Sequence, residues 1–198
     1  MLTLLQIKLQ NRFRNDIGNR ALMTVDGTDF RIAEPHPYSK AGNKVWYSHK
    51  FKGPGLRYEV GVCIRTGDIC WYYGPHPASM HDLTIFRNKL KHLLPHWERV
   101  LGDSGYEGEN RCLTARDRVS KANGRFMGIA RARHETINSL FKDWQCLKQV
   151  WRHDRSKHGL AFQCVAVITQ LNFDAGDRPF QVLEYVHLHE PGTRTIRV

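Results

Sequence analysis

Hydrophobic positions change period along this chain, and each change marks an element. Leu56, Tyr58, Val60, Val62 and Ile64 alternate with Arg57, Glu59, Gly61, Cys63 and Arg65, the period of two expected of a half-buried strand. Thr66, Gly67 and Asp68 supply a turn, and residues 69–73 return as the second arm of a hairpin. Upstream, residues 21–25 form a short apolar strand that closes on Asp26 and Gly27. Downstream the period lengthens. Leu83, Phe86, Leu90, Leu93 and Leu94 make a helical stripe that Pro95 stops. Ser79 and Asp82 have the spacing of a capping box, so Asp82 reads first as that helix's cap, with a metal ligand as its rival reading, and Arg99–Leu101 is a further strand run ending at Gly102 and Asp103. Ile137, Leu140, Phe141, Trp144, Leu147 and Trp151 fall on one side at 100° per residue, which predicts a single amphipathic helix. Glu135 stands in its first turns on the polar side, beside Arg131, Asn138, Ser139 and Lys142. Residues 160–173 form a last apolar helix.

Strand, hairpin, helix, strand, helix, helix is an α/β order with a mixed sheet. Residues 1–20 read as a short basic helical lead-in, residues 21–176 as one domain, and residues 177–198 as a tail with one strand near 180–187. Composition supports a packed domain, because 198 residues at 41% hydrophobic content can bury a core. It also selects a partner. A net charge of +11 favours a polyanion such as nucleic acid. No apolar run approaches the ~18 residues of a spanning helix, and the first ten residues do not form a secretory signal, so an intracellular, soluble protein is expected. Five cysteines without CxxC spacing argue for buried reduced thiols rather than disulfides or zinc. Pro95 between His92 and His96 spoils a metal-binding helical face, and His187 with His189 reads as a solvated strand face.

Two carboxylates follow apolar strand runs: Asp26 in Val-Asp-Gly-Thr and Asp103 in Leu-Gly-Asp-Ser-Gly-Tyr. In open α/β sheets the carboxyl ends of strands form the ligand crevice, and glycine beside each acid permits close approach. Glu135 adds a third acid. Three carboxylates from two strands and a helix suit a hard divalent cation such as Mg²⁺. Two such ions ~3.5 to 4 Å apart can activate water and stabilise the leaving oxygen of a phosphodiester.

The words around these acids carry a resemblance. Met23-Thr-Val-Asp-Gly-Thr, the stretch from Trp46 through Gly53-Pro54-Gly55 to Val60, Gly102-Asp-Ser-Gly-Tyr and Arg133-His-Glu-Thr-Ile-Asn resemble the catalytic domain of Harbinger-type DDE transposases and their bacterial insertion-sequence relatives. The resemblance covers roughly residues 21–176. It implies a ribonuclease-H-like fold with a central mixed sheet flanked by helices, and Mg²⁺- or Mn²⁺-dependent cleavage or strand transfer on DNA. Residue by residue, it carries the family's metal-binding acids onto Asp26, Asp103 and Glu135. It implies a nuclear location in a eukaryote, and oligomers are compatible with it. Family members carry a DNA-reading region ahead of the first strand, where only residues 1–20 stand here. End recognition is therefore expected from a separate DNA-binding partner. The alternative is a catalytically inactive, truncated or domesticated descendant that binds DNA.

Lys50, Lys52, Arg131, Arg133 and Lys142 surround the acids in sequence and are the expected DNA-backbone contacts. Lys148, Arg152, His153, Arg155, Lys157 and His158 form a second basic cluster. Ser104 lies in a Gly-Asp-Ser-Gly word shared with serine proteases, but the early His and all-strand chain of such an enzyme are missing, so it reads as a local hydroxyl. Gly53-Pro54-Gly55 lacks the Lys-Ser/Thr of a phosphate loop and reads as a turn.

Overall fold

The computed structural model describes residues 3–13, 21–34, 44–182, 184–185 and 196–197. The long strand β1 (Ala21–Arg31) is central, with β3 (Gly53–Cys63) antiparallel on one side and β5 (Arg99–Leu101) parallel on the other. The edge strand β4 (Ile69–Pro77) completes the hairpin with β3, and β6 (Cys112–Leu113) lies parallel beyond β5. A two-residue strand, β2 (Tyr47–Ser48), pairs with the start of β3. Residues Glu184–Tyr185 and Ile196–Arg197 pair as β7 and β8, the first within the span 180–187 where a strand is expected; residues 183 and 186–195, His187 and His189 among them, lie outside the described part.

Helices cover both faces. On one, Phe30, Tyr58, Val60 and Val62 pack against Ile137 and Phe141 of α4 (Lys121–Asp143) and Phe162 and Val165 of α6 (His158–Asp174). On the other, Met23, Val25 and Val100 meet Phe86 of α2 (Asp82–Asn88), Leu90 of α3 (Leu90–Leu93) and Tyr106. The molecule is α/β with a mixed sheet flanked by helices. Burial on both faces explains why β3 is wholly enclosed from Gly55 onward, although its sequence alternates. Arg57 and Glu59, which the alternation places on a polar face, are 8% and 1% exposed.

The ends of several elements differ from the sequence reading. Strand β1 continues through Asp26 to Arg31 because β3 supplies a partner for each step, with Asp26 opposite Val60 and Asp29 opposite Arg57. Asp26 is thus embedded in a strand. Helix α4 starts at Lys121, where Ser120 Oγ accepts from Asn123 N, so Glu135 lies past its middle rather than in its first turns. The apolar stripe 137–151 is divided. Trp144 is extended and ends α4, Leu147 sits on the four-residue α5 (Gln145–Lys148), and Trp151 bridges to Ile32 beside β1. Backbone bonds of 2.9 Å from Trp151 N to Arg31 O and 2.8 Å from Ala33 N to Trp151 O hold that return.

The lead-in contains α1 (Leu4–Asn11), capped by Thr3 and Gln6; residues 14–20 lie outside the described part. It is docked on the domain. Arg12 is buried against Glu98 with bonds of 2.9 and 2.7 Å, and Lys8 meets Asp174 at 2.6 Å. Of the five free thiols, Cys63, Cys70 and Cys112 are buried as expected, while Cys146 and Cys164 are exposed. No helix among the described residues is long and apolar enough to cross a membrane.

Candidate active site where β1 passes the end of β5

Parallel pairing sets the first two acids side by side. Thr24 is opposite Leu101, so two further residues along each chain bring Asp26 and Asp103 to the same level, on the same face, just beyond the end of β5. Helix α4 crosses that face. Asn138 Nδ2 donates to Asp26 Oδ2 at 2.9 Å, and Gly27 N donates to Asp26 Oδ1 at 2.8 Å, so both oxygens of Asp26 are oriented. One turn earlier, His134 Nδ1 lies 2.7 Å from Thr24 Oγ1. Glu135, next to it, lines one cavity of about 250 Å³ together with Asp26, Asp103, Lys50, Arg131 and His134.

The electrostatics are those of crowded carboxylates. Burial raises Asp26 to about 6; Lys50 and the Gly27 N–H pull it down, while Asp103 and Asp82 push it up. His134 is buried, its Nε2 has no hydrogen-bond partner, and burial with nearby cations lowers it to about 3, so the ring is neutral. Glu135 is exposed on α4. Among the described residues no three His, Cys, Asp or Glu side chains are gathered as a metal-binding group. The donor chemistry nonetheless fits a hard divalent cation: carboxylate oxygens line the cavity, and Asp26 is desolvated and repelled by two other acids.

The expected DNA contacts divide. Lys50 and Arg131 line the cavity, and Lys50 Nζ donates to the Gly27 carbonyl. Lys52 is exposed in the turn just before β3, and Lys142 is exposed on α4 with its ammonium 5.9 Å from the Phe30 ring centroid. Arg133 requires correction. It is 1% exposed and donates to the carbonyls of Cys63, at 2.9 Å, and Ile64, tying α4 to the end of β3. Its side chain points into the core because positions 133, 137 and 141 share a buried side of α4. In the second basic cluster His158 is likewise buried, with Nδ1 2.8 Å from Tyr58 Oη, and burial lowers it to about 4.

Asp82 also departs from expectation. It is the first residue of α2 and caps nothing: the N-cap is His81, without a side-chain bond, and Ser79 Oγ donates to Val45 O. Its carboxylate lies 3.3 Å from Arg57 Nη1 and interacts with Asp103 and Asp26. Sequence reasoning ranked this second because Ser-x-x-Asp before an apolar stripe is also the pattern of a capping box. It read Asn138 as a neighbour of Glu135 that could hold the DNA backbone, not as a donor to Asp26, although a helix position three residues from an acid shares its face.

A half-buried acid on the central strand, a second acid past the end of the neighbouring strand, and a third on the crossing helix line one cavity of this α/β protein. The chain belongs to the DDE superfamily endonucleases, whose family model matches residues 25–170. Membership indicates a transposase-type nuclease, and the family generally uses divalent cations and acts on DNA. Comparison with curated proteins and with solved structures gave no match.

Proposed function

We propose that this protein is a divalent-metal-dependent DNA endonuclease of the Harbinger transposase type, built on a ribonuclease-H-like sheet. Asp26, Asp103 and Glu135 are its metal-binding acids. The observation that carries the reading is the parallel register that sets Asp26 beside Asp103 in the cavity that Glu135 also lines. The strand order β4-β3-β1-β5-β6, antiparallel on one side of β1 and parallel on the other, supports the fold assignment.

Bound Mg²⁺ or Mn²⁺ would activate water and neutralise charge on the phosphodiester. The chain's own groups prepare that chemistry. Asp26 and Asp103 hold the shared position, Asn138 fixes the orientation of the Asp26 carboxylate, and Glu135 completes the second position. Lys50 and Arg131 bring positive charge to the same cavity, where a DNA phosphate must sit, and Lys52 and Lys142 extend it outward. Action on chromosomal DNA puts a eukaryotic copy in the nucleus.

Supercoiled plasmid incubated with Mg²⁺ or Mn²⁺ is expected to be nicked by the wild type and left intact by Asp103→Asn. Equal nicking by both, or none by either at high enzyme concentration, overturns the proposal. The second outcome, with DNA binding retained, leaves the inactive DNA-binding descendant.

A further inference from the structure

The two glycines next to the strand acids have a structural use. A Cβ on Gly27 would fall 2.1 Å from Asp82 Oδ1, far inside contact distance, so the missing side chain of residue 27 is the space that the Asp82 carboxylate fills. A Cβ on Gly105 would lie 3.2 Å from Asp82 Oδ2 and 3.0 Å from Asp103 Oδ1. Two carboxylate oxygens within 3.2 Å of one point lie at most about 6 Å apart, close enough for Asp103 to push the Asp82 carboxyl upward. Asp103 is itself fixed there, since Oδ1 accepts from Gly105 N at 2.8 Å.

We infer that Asp82 is a fourth carboxylate of the metal-binding centre, seated by Gly27 and Gly105 and presenting Oδ2 beside Asp103. This rests on the nuclease reading above. The alternatives for a first-turn acid do not use its position. A cap would accept from the N–H groups of its own helix, and α2 has no such side-chain bond. A simple ion pair would turn the whole carboxylate to Arg57, whose Nε and Nη2 are engaged with Asp29 at 2.7 and 3.0 Å and whose Nη1 donates to Met80 O at 2.9 Å. Nη1 reaches Asp82 Oδ1 only at 3.3 Å, which anchors one oxygen and leaves Oδ2 toward Asp103. Asp82 approaches from the α2 side of the sheet and Glu135 from the α4 side, so the shared acids Asp26 and Asp103 are flanked by a carboxylate on each face.

Mn²⁺ binding to the full chain, read by loss of the free-ion electron paramagnetic resonance signal without DNA, tests this apart from catalysis. Asp82→Asn keeps size and the Arg57 contact and is expected to weaken Mn²⁺ about tenfold, the lower end of what loss of a supporting carboxylate costs. Asp103→Asn should weaken it further. Gly27→Ala retains every carboxylate but collides with Asp82, and it should reproduce the Asp82→Asn loss; Gly128→Ala, where a Cβ meets nothing within 4 Å, should bind as wild type. Circular dichroism melts check folding, and if Asp82→Asn fails to fold, the Gly27→Ala and Gly128→Ala comparison decides. Wild-type affinity in folded Asp82→Asn or Gly27→Ala, with loss in Asp103→Asn, overturns the role of Asp82 and leaves the site standing. Wild-type affinity in Asp103→Asn as well overturns the metal centre, and Asp82's role with it.

Discussion

Two glutamates carry opposite lessons about what a carboxylate does at a given depth. Glu135 is exposed at the cavity, so Glu135→Gln should leave the fold alone while removing a charge that the proposed metal-dependent reaction uses. Nicking is expected to fall at least about 100-fold, in line with loss of a key electrostatic group, with duplex DNA binding unchanged or slightly tighter. Gel shift and nicking on the same preparation check both halves, and loss of binding together with cleavage would assign Glu135 to structure. Glu59 is enclosed on β3, accepts from Trp71 Nε1 at 2.9 Å, and burial raises it to about 8. Because its folded value lies above the unfolded value of about 4.3, the unfolded chain releases this proton first as pH rises. Glu59 therefore costs stability progressively between about pH 4.5 and 8, with a slope near 1.4 kcal/mol per pH unit, and the cost is constant above that window. Glu59→Gln keeps the Trp71 bond and removes the titration. Urea melts should find the variant more stable than wild type at pH 8, with the difference shrinking toward pH 5; a constant difference would mean that Glu59 is ionised in the folded protein.

At the scale of elements, periodicity read what each segment buries, and pairing decided where each segment ends. The alternation from Leu56 to Ile64 located β3 and its hairpin, because period two survives even when a strand is covered on both faces. It misjudged Arg57 and Glu59, since a covering helix two dozen residues away leaves no mark on the strand's own pattern. Asp26 was legible as a candidate acid but not as a mid-strand residue, because the β1 extension depends on pairing with residues 55–60 of β3. The 137–151 stripe was read as one helix because a helix and a returning chain can bury the same apolar side; the bonds that pull Trp151 to Arg31 are tertiary. Helix α4 shows the same limit with charge. Arg131 and Arg133 look equivalent in sequence, yet one lines the cavity and the other ties α4 to β3. Arg133→Ala should cost about 2 kcal/mol or more, because it removes the bond to the Ile64 carbonyl and empties buried volume while the Cys63 carbonyl keeps the Gly67 N–H, and it should reduce DNA binding only through unfolding. Arg131→Ala should keep the melting midpoint and weaken DNA binding. The opposite pairing of stability and affinity would reverse the two assignments.

Across the whole molecule the charge is larger than the site can use. Of the net +11, Lys50 and Arg131 face the cavity, Lys142 lies near Asp26, Lys52 is exposed in the turn before β3, and Lys148, Arg152 and Lys157 are exposed beyond the end of α4. These cations are carried by separate elements of one fold, which is suited to following a phosphate backbone and has no means of reading bases by charge alone. Buried pairs such as Arg12 with Glu98 and Arg57 with Asp29 are already spent on holding α1 and β3 in place, so they should not contribute to binding. Affinity for a short duplex should therefore fall linearly in a log–log plot against salt, with a slope of about −0.9 for each phosphate neutralised. Lys52→Gln, which touches no described acid and leaves the cavity intact, should make the slope shallower by about 0.9 without changing the preference among duplex sequences. Fluorescence anisotropy across ~50 to 200 mM salt, on two unrelated duplexes, measures both quantities. A slope unchanged by Lys52→Gln would take that residue off the DNA path, and a strong preference between the duplexes would locate base reading in this chain rather than in a partner.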